Sequence, residues 1–250
     1  MPSAIYNNGG GHFCSNLSGL GSQYWPEVIE VLRSVVPVYN KVNRVISLGK
    51  DEEYRKHAIK ERVMPGNLVL DAGSGFGNMS RVALAEAGGN ARVVMYDPLP
   101  EMLANTRSFF AGAHQQLSLS SGIFEHMPFK DNTFDAVLCG YSLRDAIDLK
   151  KAIAEMHRVL VPGGRLIIVD LGKPDGTFKR WMVATYLKHF LGIFAYIAAG
   201  KPGLKFTTLY GTFLRWPKNS ELEAMLAEKF SKVVFDKGML EGAIMVAAYK

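Results

Sequence analysis

One short segment constrains the fold of this chain more than any other, because it joins a strand-like apolar run to three glycines and a helix. Residues 69–77 read Val-Leu-Asp-Ala-Gly-Ser-Gly-Phe-Gly, and a helical pattern follows from Asn78. Glycine lets a backbone pass close beneath a ligand, and a helix N-terminus offers free N–H groups. The spacing G-x-G-x-G differs from the G-x-G-x-x-G of a pyrophosphate-binding turn. The segment therefore predicts either a tight strand-to-helix turn or a turn that holds a nucleoside.

A second acid supports the nucleoside interpretation. Asp97 ends the next predicted strand, 20 residues after Gly77. A carboxylate in that place can accept hydrogen bonds from both hydroxyls of an unphosphorylated ribose, whereas a solvated aspartate at a strand end would have no ligand role. Asp71 is expected to be semi-buried, where it would orient the loop amides or meet a cationic group of the ligand.

Short apolar runs alternate with helical patterns from residue 67 onward, as in a parallel α/β sheet. The predicted strands span 68–72, 92–97, 117–122, 134–140 and 165–170, and the predicted helices span 78–87, 100–111 and 148–160. The sequence Pro162-Gly163-Gly164 is expected to turn the last of these helices into the fifth strand. A capping box of Ser220 and Glu223 predicts a helix to about residue 229, and the runs 232–236 and 243–249 predict a closing antiparallel pair. The predicted class is therefore α/β, with a mostly parallel sheet and an antiparallel C-terminal strand.

Five segments are expected along the chain. They are a flexible tail (1–24), a helical lead-in (25–66), a nucleoside-binding core (67–170), a helical insertion (171–218) and the closing helix and strands (219–250). The lead-in carries an amphipathic stretch that is broken at Pro37. The insertion holds 10 of the 27 aromatic residues and a net charge of +7, so the overall charge of +6 is local to it. A basic segment of this kind favours an anionic partner such as nucleic acid, acidic lipid or an acidic substrate.

Composition and spacing exclude several classes of protein. Cys14 and Cys139 are too few for a disulfide scaffold or a four-cysteine zinc site. The histidines His57, His114 and His157 show no metal-ligand spacing, and the glycine-rich tail disfavours a metal pair of His12 and Cys14. The tail lacks the pattern of a secretory signal, and the uncharged run 189–200 has 12 residues against the roughly 20 of a crossing helix. We therefore expect a cytoplasmic chain without a metal, either soluble or peripheral to a membrane.

Further motifs give a resemblance to a known family. Residues 125–135 read Glu-His-Met-Pro-Phe-Lys-Asp-Asn-Thr-Phe-Asp, residues 142–145 read Ser-Leu-Arg-Asp, and residues 156–166 read Met-His-Arg-Val-Leu-Val-Pro-Gly-Gly-Arg-Leu. Upstream, residues 38–43 read Val-Tyr-Asn-Lys-Val-Asn and residues 47–49 read Ser-Leu-Gly. With the glycine turn, these motifs resemble the class I S-adenosylmethionine-dependent methyltransferases, and among them the ubiquinone/menaquinone-biosynthesis C-methyltransferases. The resemblance covers about residues 38–174, with a weaker match from Trp216 onward, and implies a Rossmann-like sheet with an aromatic, basic helical cap.

The resemblance implies S-adenosylmethionine as the cofactor, bound at the glycine turn and at the strand ends beside it. The implied contacts are Asp71, Gly73, Ser74, Gly75, Phe76, Gly77, Asp97, Pro98, Ile123, Phe124, Gly140 and Tyr141. Some of these positions depart from the family pattern: Phe76 stands for Thr, Ile123-Phe124 for Asn-Ala or Asp-Ala, and Gly140 for Ser. The departures predict an adenine site that is drier and makes fewer hydrogen bonds.

The resemblance also implies which residues act on the methyl acceptor. Arg144 would stabilise a phenolate, and Tyr39 would touch the cofactor or the acceptor ring. Asp145 stands where the family has Asn, and its carboxylate could take the proton of a quinol hydroxyl, a role that contributes about 10²–10⁴ in rate. A surface ion pair of Arg144 and Asp145 that caps the following helix is the plain alternative.

The insertion is expected to cover the acceptor site. Residues 181–200 place apolar and aromatic side chains at helical intervals near Lys179, Arg180 and Lys188, and the candidate substrate contacts are Tyr186, His189 and Phe190. One interpretation is a core helix, and the other is an apolar lid whose basic rim lies on anionic lipid while a polyprenyl tail enters below. The expected partners are a hydrophobic acceptor such as a prenylated quinol, an anionic membrane surface and a second copy in a homodimer.

Other functions stay open at this point. An O- or N-methyltransferase for another small molecule or lipid fits the same motifs, as does an inactive scaffold that binds S-adenosylmethionine. The chain lacks the Asn/Asp-Pro-Pro-aromatic motif and the Pro-Cys context of base-modifying enzymes, so no nucleic-acid partner is expected. A nicotinamide dehydrogenase is disfavoured by the glycine spacing.

Overall fold

The sheet of this protein confirms the predicted α/β class. The computed structural model describes residues 19–110 and 117–250, and these residues form a seven-stranded sheet. Its strands are β1 (Leu68–Ala72), β2 (Arg92–Asp97), β3 (Leu117–Ser121), β4 (Phe134–Gly140), β5 (Leu160–Leu171), β6 (Lys232–Gly238) and β7 (Ala243–Tyr249). The spatial order is β3-β2-β1-β4-β5-β7-β6. Strands β1 to β5 are parallel, and β7 runs antiparallel between β5 and β6.

Helices cover both faces of the sheet and its carboxyl edge. They are α1 (Gly21–Val35), α2 (Tyr39–Ile46), α3 (Asp51–Ile59), α4 (Asn78–Glu86), α5 (Pro100–Phe109), α6 (Leu149–Val159), α7 (Thr177–Thr185), α8 (Leu191–Ala199), α9 (Thr208–Arg215) and α10 (Asn219–Ala227). A 3-10 turn at Val36–Val38 separates α1 from α2, at the proline break that the sequence predicts.

Two apolar layers lie on opposite faces of the sheet, because successive residues of a strand point to opposite sides. Leu70, Val137 and Ile168 pack in the layer that includes α6 and α10. Val69 and Leu138 pack in the layer that includes α3 and α4. Cys139 is fully buried in the first layer, as expected for a core cysteine.

A third apolar cluster joins the N-terminal helices to the insertion. Val42 of α2 packs with Leu187, Leu191, Phe206 and Phe213 of the insertion, and Leu171 at the carboxyl end of β5 packs against the same group. These helices therefore form a cap at the carboxyl edge of the parallel strands, which is where ligands bind in open α/β sheets.

Within the cap, α7 and α8 are joined by a π turn, Tyr186–Phe190, into one continuous helix of 23 residues, Thr177–Ala199. An 18-residue window within it has a mean hydropathy of 1.4, and among the described residues it is the one helix long and apolar enough to cross a membrane, judged by length and composition only. The expectation that no segment reaches this length is wrong, because Lys188 does not interrupt the helix.

Part of the predicted tail is also ordered. Residues 21–24 belong to α1, because the backbone N–H groups of Leu20 and Gly21 donate to the carbonyls of Ala146 and Ile147 at 2.8 and 3.0 Å. The rest of the predicted tail up to residue 18, with His12 and Cys14, lies outside the described residues, as does His114.

The turn predicted at residues 162–164 is wrong. Strand β5 begins at Leu160, directly after α6, and the extra residues are absorbed by a register shift, since Phe134 pairs with Leu160 but Ala136 pairs with Arg165. The backbone of Lys250 satisfies this stretch, because its carbonyl accepts from Gly163 at 3.1 Å and its N–H donates to Gly164 at 2.9 Å.

The predicted capping box is displaced along the chain. Helix α10 begins at Asn219, and the Glu221 carboxylate accepts a hydrogen bond from the backbone N–H of Lys218 at 2.7 Å. Ser220 instead donates through Oγ to Asp175 at 2.6 Å, which ties the start of α10 to the segment before α7. Glu223 takes no part in the cap.

Candidate active site

The glycine turn after β1 is shaped by contacts that only glycine allows. Gly73 has φ +67, and a Cβ at this position would lie 2.4 Å from Ser142 Oγ. The backbone N–H groups of Gly73 and Ser74 donate to the carbonyl of Tyr96 at 2.7 and 3.1 Å, which holds the turn against the end of β2. The turn therefore presents bare backbone to the space between β1 and β2, as the sequence predicts.

Asp97 lies at the end of β2 and faces this turn. Its Oδ2 accepts a hydrogen bond from the backbone N–H of Gly75 at 2.8 Å, and its Oδ1 accepts from Leu99 at 2.8 Å. The side chain is buried, and burial raises the pKa of this carboxyl to about 6 despite the two backbone donors. The carboxylate is thus fixed where it can receive the hydroxyls of a ribose.

Asp71 was expected to be semi-buried and either to orient the loop amides or to contact the ligand, but it lies behind the wall of the cleft. It is fully buried, its Oδ2 accepts from the backbone N–H and the Oγ of Ser80 at 2.9 and 2.5 Å, and its Oδ1 has no hydrogen-bond partner among the described residues. Burial raises the pKa of Asp71 to about 6. The side chain anchors the first turns of α4 and does not line the cleft.

The cleft brings together most of the residues expected to hold the cofactor. Its walls include Gly73, Gly75, Asp97, Pro98, Ile123, Phe124 and Tyr141, together with Tyr39, Ser142 and Asp145. Ser74, Phe76, Gly77 and Gly140 do not line it, although the first three belong to the same turn. Gly140 lies behind the wall, where a Cβ would come within 2.4 Å of Met79 Cγ, so packing excludes the serine of the family pattern.

Sequence reasoning missed the roof of this cleft. Trp25, Ile29 and Leu32 of α1 lie over it, and Leu99 and Met102 complete the apolar side. The free space between these walls is about 50 Å³, which is room for only a few water molecules. The walls suit a nucleoside in chemical character, and we expect α1 to shift when one enters. The amphipathic pattern of α1 was the available signal, and it does not say what the apolar side covers.

The adenine end of the cleft carries the departures from the family pattern. Ile123 and Phe124 present apolar side chains, and the carbonyl of Ile123 accepts from the Tyr96 hydroxyl at 2.8 Å. The next residue, Glu125, also lines the cleft, is buried, and accepts from the backbone N–H of Asp148 at 3.0 Å. Glu125 is therefore a polar group at this end that the sequence analysis did not single out.

Arg144 and Asp145 lie in a 3-10 turn after β4, Leu143–Asp145, and they are not a surface ion pair. Their side chains are 10% and 13% exposed. The N-cap of α6 is Asp148, whose side chain accepts from Lys151, so the alternative role of capping that helix is wrong. Arg144 Nη1 donates to Asp170 Oδ1 at 2.5 Å, while Arg144 Nε lies 3.9 Å from Asp145 Oδ1.

Of the two carboxyls near Arg144, Asp145 is the one without a hydrogen bond to the guanidinium, and its pKa is raised. Burial raises the pKa of Asp145 to about 6, and the nearby Arg144 guanidinium only partly offsets that effect. Burial lowers the pKa of Arg144, but Asp170 and Asp145 outweigh it and hold the pKa above its usual range. Arg144 Nε and Asp170 Oδ2 have no hydrogen-bond partner within the described residues. Two carboxyls thus share one guanidinium, and Asp170 holds it.

A second space lies beside the cleft, between the cap and the carboxyl edge of the sheet. It measures about 290 Å³, and nearly all of its wall is apolar. Its lining comes mainly from α2, the helix 177–199 and residues 239–243, and includes Ile46, Leu48, Met182, Val183, Leu187, Leu191, Leu209, Met239 and Leu240. Arg144 and Asp170 supply charge at one end of it, and Asp51 also reaches its wall. We call this space the apolar cavity.

Of the three expected substrate contacts, only Tyr186 lines the apolar cavity, and its hydroxyl donates to the carbonyl of Ile46 at 3.0 Å. His189 and Phe190 are exposed on the outer side of the cap instead. The reason is the π turn, which rotates the helix so that Leu187 and Leu191 face inward.

Tyr141 separates the cleft from the apolar cavity, since it lines both. Its φ is +60, a strained backbone conformation for a residue with a side chain. Its backbone N–H donates to Val169 at 2.6 Å, and the Arg55 guanidinium lies 4.9 Å from its ring centroid. Arg55 is buried and paired with Asp51 at 2.6 Å, so it is fixed in place and supports the ring of Tyr141.

A third space of about 40 Å³ shares wall residues with both the cleft and the apolar cavity. It shares Tyr39 and Asp145 with the cleft and Arg144 with the apolar cavity. The three residues expected to act on the acceptor therefore meet between the cofactor cleft and the apolar cavity. Tyr39 is half-buried there, desolvation raises its pKa, and its ring contacts those of Phe76 and Phe206 at 6.2 and 6.0 Å between centroids.

Comparison with known proteins finds relatives of this chain. A family model described as the ubiE/COQ5 methyltransferase family matches residues 18–248. The chain is 30% identical over 200 residues to a demethylmenaquinone methyltransferase of Deinococcus radiodurans, covering 80% of this chain and 82% of that protein. It is 31% identical over 163 residues to the ubiquinone/menaquinone biosynthesis C-methyltransferase UbiE of Legionella pneumophila, covering 62% and 65%.

Solved structures agree on the fold. A SAM-dependent methyltransferase from Aquifex aeolicus superposes with a TM-score of 0.57 at 17% identity, over 84% of this chain and 97% of that one. A putative methyltransferase from Bacillus halodurans gives a TM-score of 0.57 at 19% identity, over 78% and 98%. These likenesses show a class I methyltransferase fold.

Proposed function

Since the chain belongs to the ubiE/COQ5 methyltransferase family and is an S-adenosylmethionine-dependent methyltransferase, we propose that it methylates a ring carbon of a prenylated quinol. The acceptor would be of the demethylmenaquinone or ubiquinone type. The observation that carries the proposal is the apolar cavity, which is large and apolar along its length, is charged at Arg144 and Asp170, and adjoins the cofactor cleft through Tyr141.

The cleft residues divide the work of holding the cofactor. Asp97 would accept the ribose hydroxyls, and the bare backbone of Gly73 and Gly75 would lie against the methionine end. Ile123 and Phe124 would pack on the adenine, with Glu125 as the nearby polar group. When bound, S-adenosylmethionine supplies a methyl group that is already activated on a sulfonium. The protein therefore needs only to align the acceptor carbon and to raise its electron density, and alignment alone can supply roughly 7–11 kcal/mol of the barrier.

The apolar cavity suits an acceptor with two unlike ends. A polar ring would lie toward Arg144, and a hydrocarbon tail would follow the walls formed by Ile46, Met182 and Leu240. Tail binding of this kind gains about 25 cal/mol for each Å² of apolar surface removed from water. A small polar substrate would leave most of this wall unused, which favours the lipid-like acceptor.

Asp145 and Arg144 would prepare the ring for transfer. The Asp145 carboxylate accepts the proton of a quinol hydroxyl, and the Arg144 guanidinium, whose Nε has no partner among the described residues, stabilises the phenolate that remains. The ring carbon next to that phenolate would take the methyl group as its bond to the sulfonium breaks, with the electron pair left on sulfur. That carbon would then release its proton to water, which restores the aromatic ring as a phenolate, and Asp145 would return its proton to the phenolate oxygen. Asp170 fixes Arg144 in place at 2.5 Å and leaves Asp145 free to exchange its proton.

An acceptor with a polyprenyl tail resides in a bilayer, so the proposed enzyme would act in the cytoplasm at a membrane surface. O- or N-methylation of another small molecule or lipid is the alternative activity, and an inactive scaffold is the alternative without chemistry. The proposal is tested with purified protein, labelled S-adenosylmethionine and a reduced demethylmenaquinol with a short tail. Mass spectrometry should place the label on a ring carbon, and the variant Asp97→Ala should abolish it. A methyl ether would show the O-methyltransferase instead, and cofactor binding without transfer to any quinol would show the scaffold.

A further inference from the structure

We propose that the outer side of the helix 177–199 docks the protein on an anionic lipid bilayer. Large apolar side chains are exposed along this side: Phe178 (70%), Trp181 (61%), Phe190 (50%), Ile193 (56%), Tyr196 (52%) and Ile197 (74%). We call these six residues the docking face. Six large apolar side chains exposed on one helix are uncommon on a soluble monomer and mark an interaction site.

The docking face is a single stripe, because its members recur at helical spacing. The π turn, in which the N–H of Leu191 donates to the carbonyl of Tyr186, sets the register between the two halves of the helix. The opposite stripe, Leu187, Leu191 and Ala195, is buried in the apolar cluster with α2. The helix is thereby fixed to the protein along its inner side. The helix can lie in the plane of a membrane surface while it stays in that cluster. To cross a membrane it would have to leave the cluster, so docking is the arrangement that preserves the fold.

The charge around the docking face complements anionic lipid. No Asp or Glu occurs between Gly176 and Lys218. Lys179 pairs with Glu241, and Arg180 donates to the carbonyls of Pro174 and Asp175, so these two cations are used within the protein.

Three other lysines are available to lipid. Lys188, Lys201 and Lys205 are exposed, and no described acidic side chain lies within ion-pair distance of them. Cations beside an apolar helical face are attracted to the negative surface of a membrane. Of the expected basic rim of Lys179, Arg180 and Lys188, we therefore keep Lys188, and we add Lys201 and Lys205 to it.

The apolar cavity opens next to the docking face. Met182 lines the cavity and is 36% exposed on the same helix, one residue after Trp181. Leu48 and Leu240 also line the cavity and are 62% and 58% exposed, which marks its mouth. A hydrocarbon chain could pass from the lipid layer into the cavity without crossing water. This continuity selects a bilayer over a soluble partner as the occupant of the face.

Flotation of the full-length protein with lipid vesicles tests the docking. Vesicles of phosphatidylcholine mixed with phosphatidylglycerol should carry the protein at low salt, and vesicles of phosphatidylcholine alone should carry much less. The double variant Ile193→Asp/Ile197→Asp should lose at least about tenfold in affinity, because two charges enter the apolar layer. Lys188→Ala, Lys201→Ala and Lys205→Ala should each weaken binding about fivefold. Tryptophan emission should shift to the blue with anionic vesicles, and Trp181→Phe should remove this shift, because Trp25 and Trp216 lie outside the docking face.

The matched control is Met64→Asp, since Met64 is 50% exposed and precedes the amino end of β1, at the opposite edge of the sheet. It should bind vesicles as the unaltered protein does. Absence of binding at low salt, or equal binding by the Ile193→Asp/Ile197→Asp protein, overturns the proposal. A third outcome also overturns it: light scattering shows a dimer that the Ile193→Asp/Ile197→Asp variant dissociates, and neither protein binds vesicles. The docking face would then be an interface between two copies of the chain. Flotation uses neither methyl donor nor acceptor, so its failure is distinct from failure of the proposed reaction.

Discussion

Arg144 Nη1 donates a hydrogen bond to Asp170 Oδ1 at 2.5 Å, at the point where the ends of β4 and β5 meet the cap. The Asp170 side chain is fully buried and that of Arg144 is 10% exposed, so the pair has little contact with water. The same Asp170 oxygen accepts from the backbone N–H of Leu171 at 2.7 Å. Asp170 is therefore the fixed partner of the guanidinium, and Asp145 is the carboxyl with freedom to titrate.

We predict that Asp170→Asn destabilises the protein by about 3–5 kcal/mol, because it removes the charge that is hydrogen-bonded to a buried guanidinium and leaves only the more distant Asp145. Urea unfolding monitored by circular dichroism measures the change. The matched control is Glu52→Gln, which removes the exposed pairs of Glu52 with Lys56 at 3.0 Å and with Arg81 at 3.2 Å and should change stability by less than about 1 kcal/mol. Equal effects of the two substitutions would contradict the assignment of Asp170 as the anchor of Arg144.

The titration of Asp145 predicts how methyl transfer depends on pH. Burial raises the pKa of this carboxyl to about 6, so it is ionised and able to accept a proton above that pH and is protonated below it. We expect kcat to fall about tenfold for each pH unit below about 6. Asp145→Asn should lower kcat by about 10²–10⁴ and remove this limb of the pH profile. A profile that is the same in the variant and the unaltered protein would exclude Asp145 as the base.

Asp97 predicts a separate pH effect, on cofactor affinity. Its carboxyl has a pKa raised to about 6 by burial, and only the ionised form is purely an acceptor for ribose hydroxyls. Calorimetry should show the Kd for S-adenosylmethionine rising about tenfold between about pH 7 and about pH 5. Asp97→Ala should weaken binding strongly and leave a Kd that no longer varies over this range. Asp71→Asn is the control, because Asp71 has a similarly raised pKa but does not line the cleft, so the pH dependence should remain.

Local sequence patterns predict the parts of the site that form within one strand-turn-helix unit. The glycine turn and Asp97 come together because neighbouring parallel strands end at the same edge of the sheet. The position of Arg144 and Asp145 after β4 follows for the same reason. The partner of Arg144 could not be predicted in this way, because Asp170 is 26 residues away at the end of another strand.

The cap shows the limit of such reasoning more clearly. Its aromatic and basic character is visible in the sequence, but the residues that face inward depend on a π turn that periodicity alone does not mark. The apolar cavity needs contacts between distant segments, such as Tyr186 with Ile46 across 140 residues. The position of α1 over the cleft also depends on contacts between distant segments. Its amphipathic pattern could not predict this position, because such a helix can pack on any apolar surface.

That roof gives the last prediction, which concerns Trp25. Because the free space in the cleft beneath Trp25, Ile29 and Leu32 is only about 50 Å³, we expect α1 to move when the cofactor binds. Trp25 emission should therefore change on addition of S-adenosylmethionine, and Trp25→Phe should remove most of this change while calorimetry still detects binding. Ile29→Ala should speed cofactor association, because it loosens the contact that holds α1 over the cleft. A cofactor that binds without any change in Trp25 emission would mean that it enters beside α1 and leaves the helix in place.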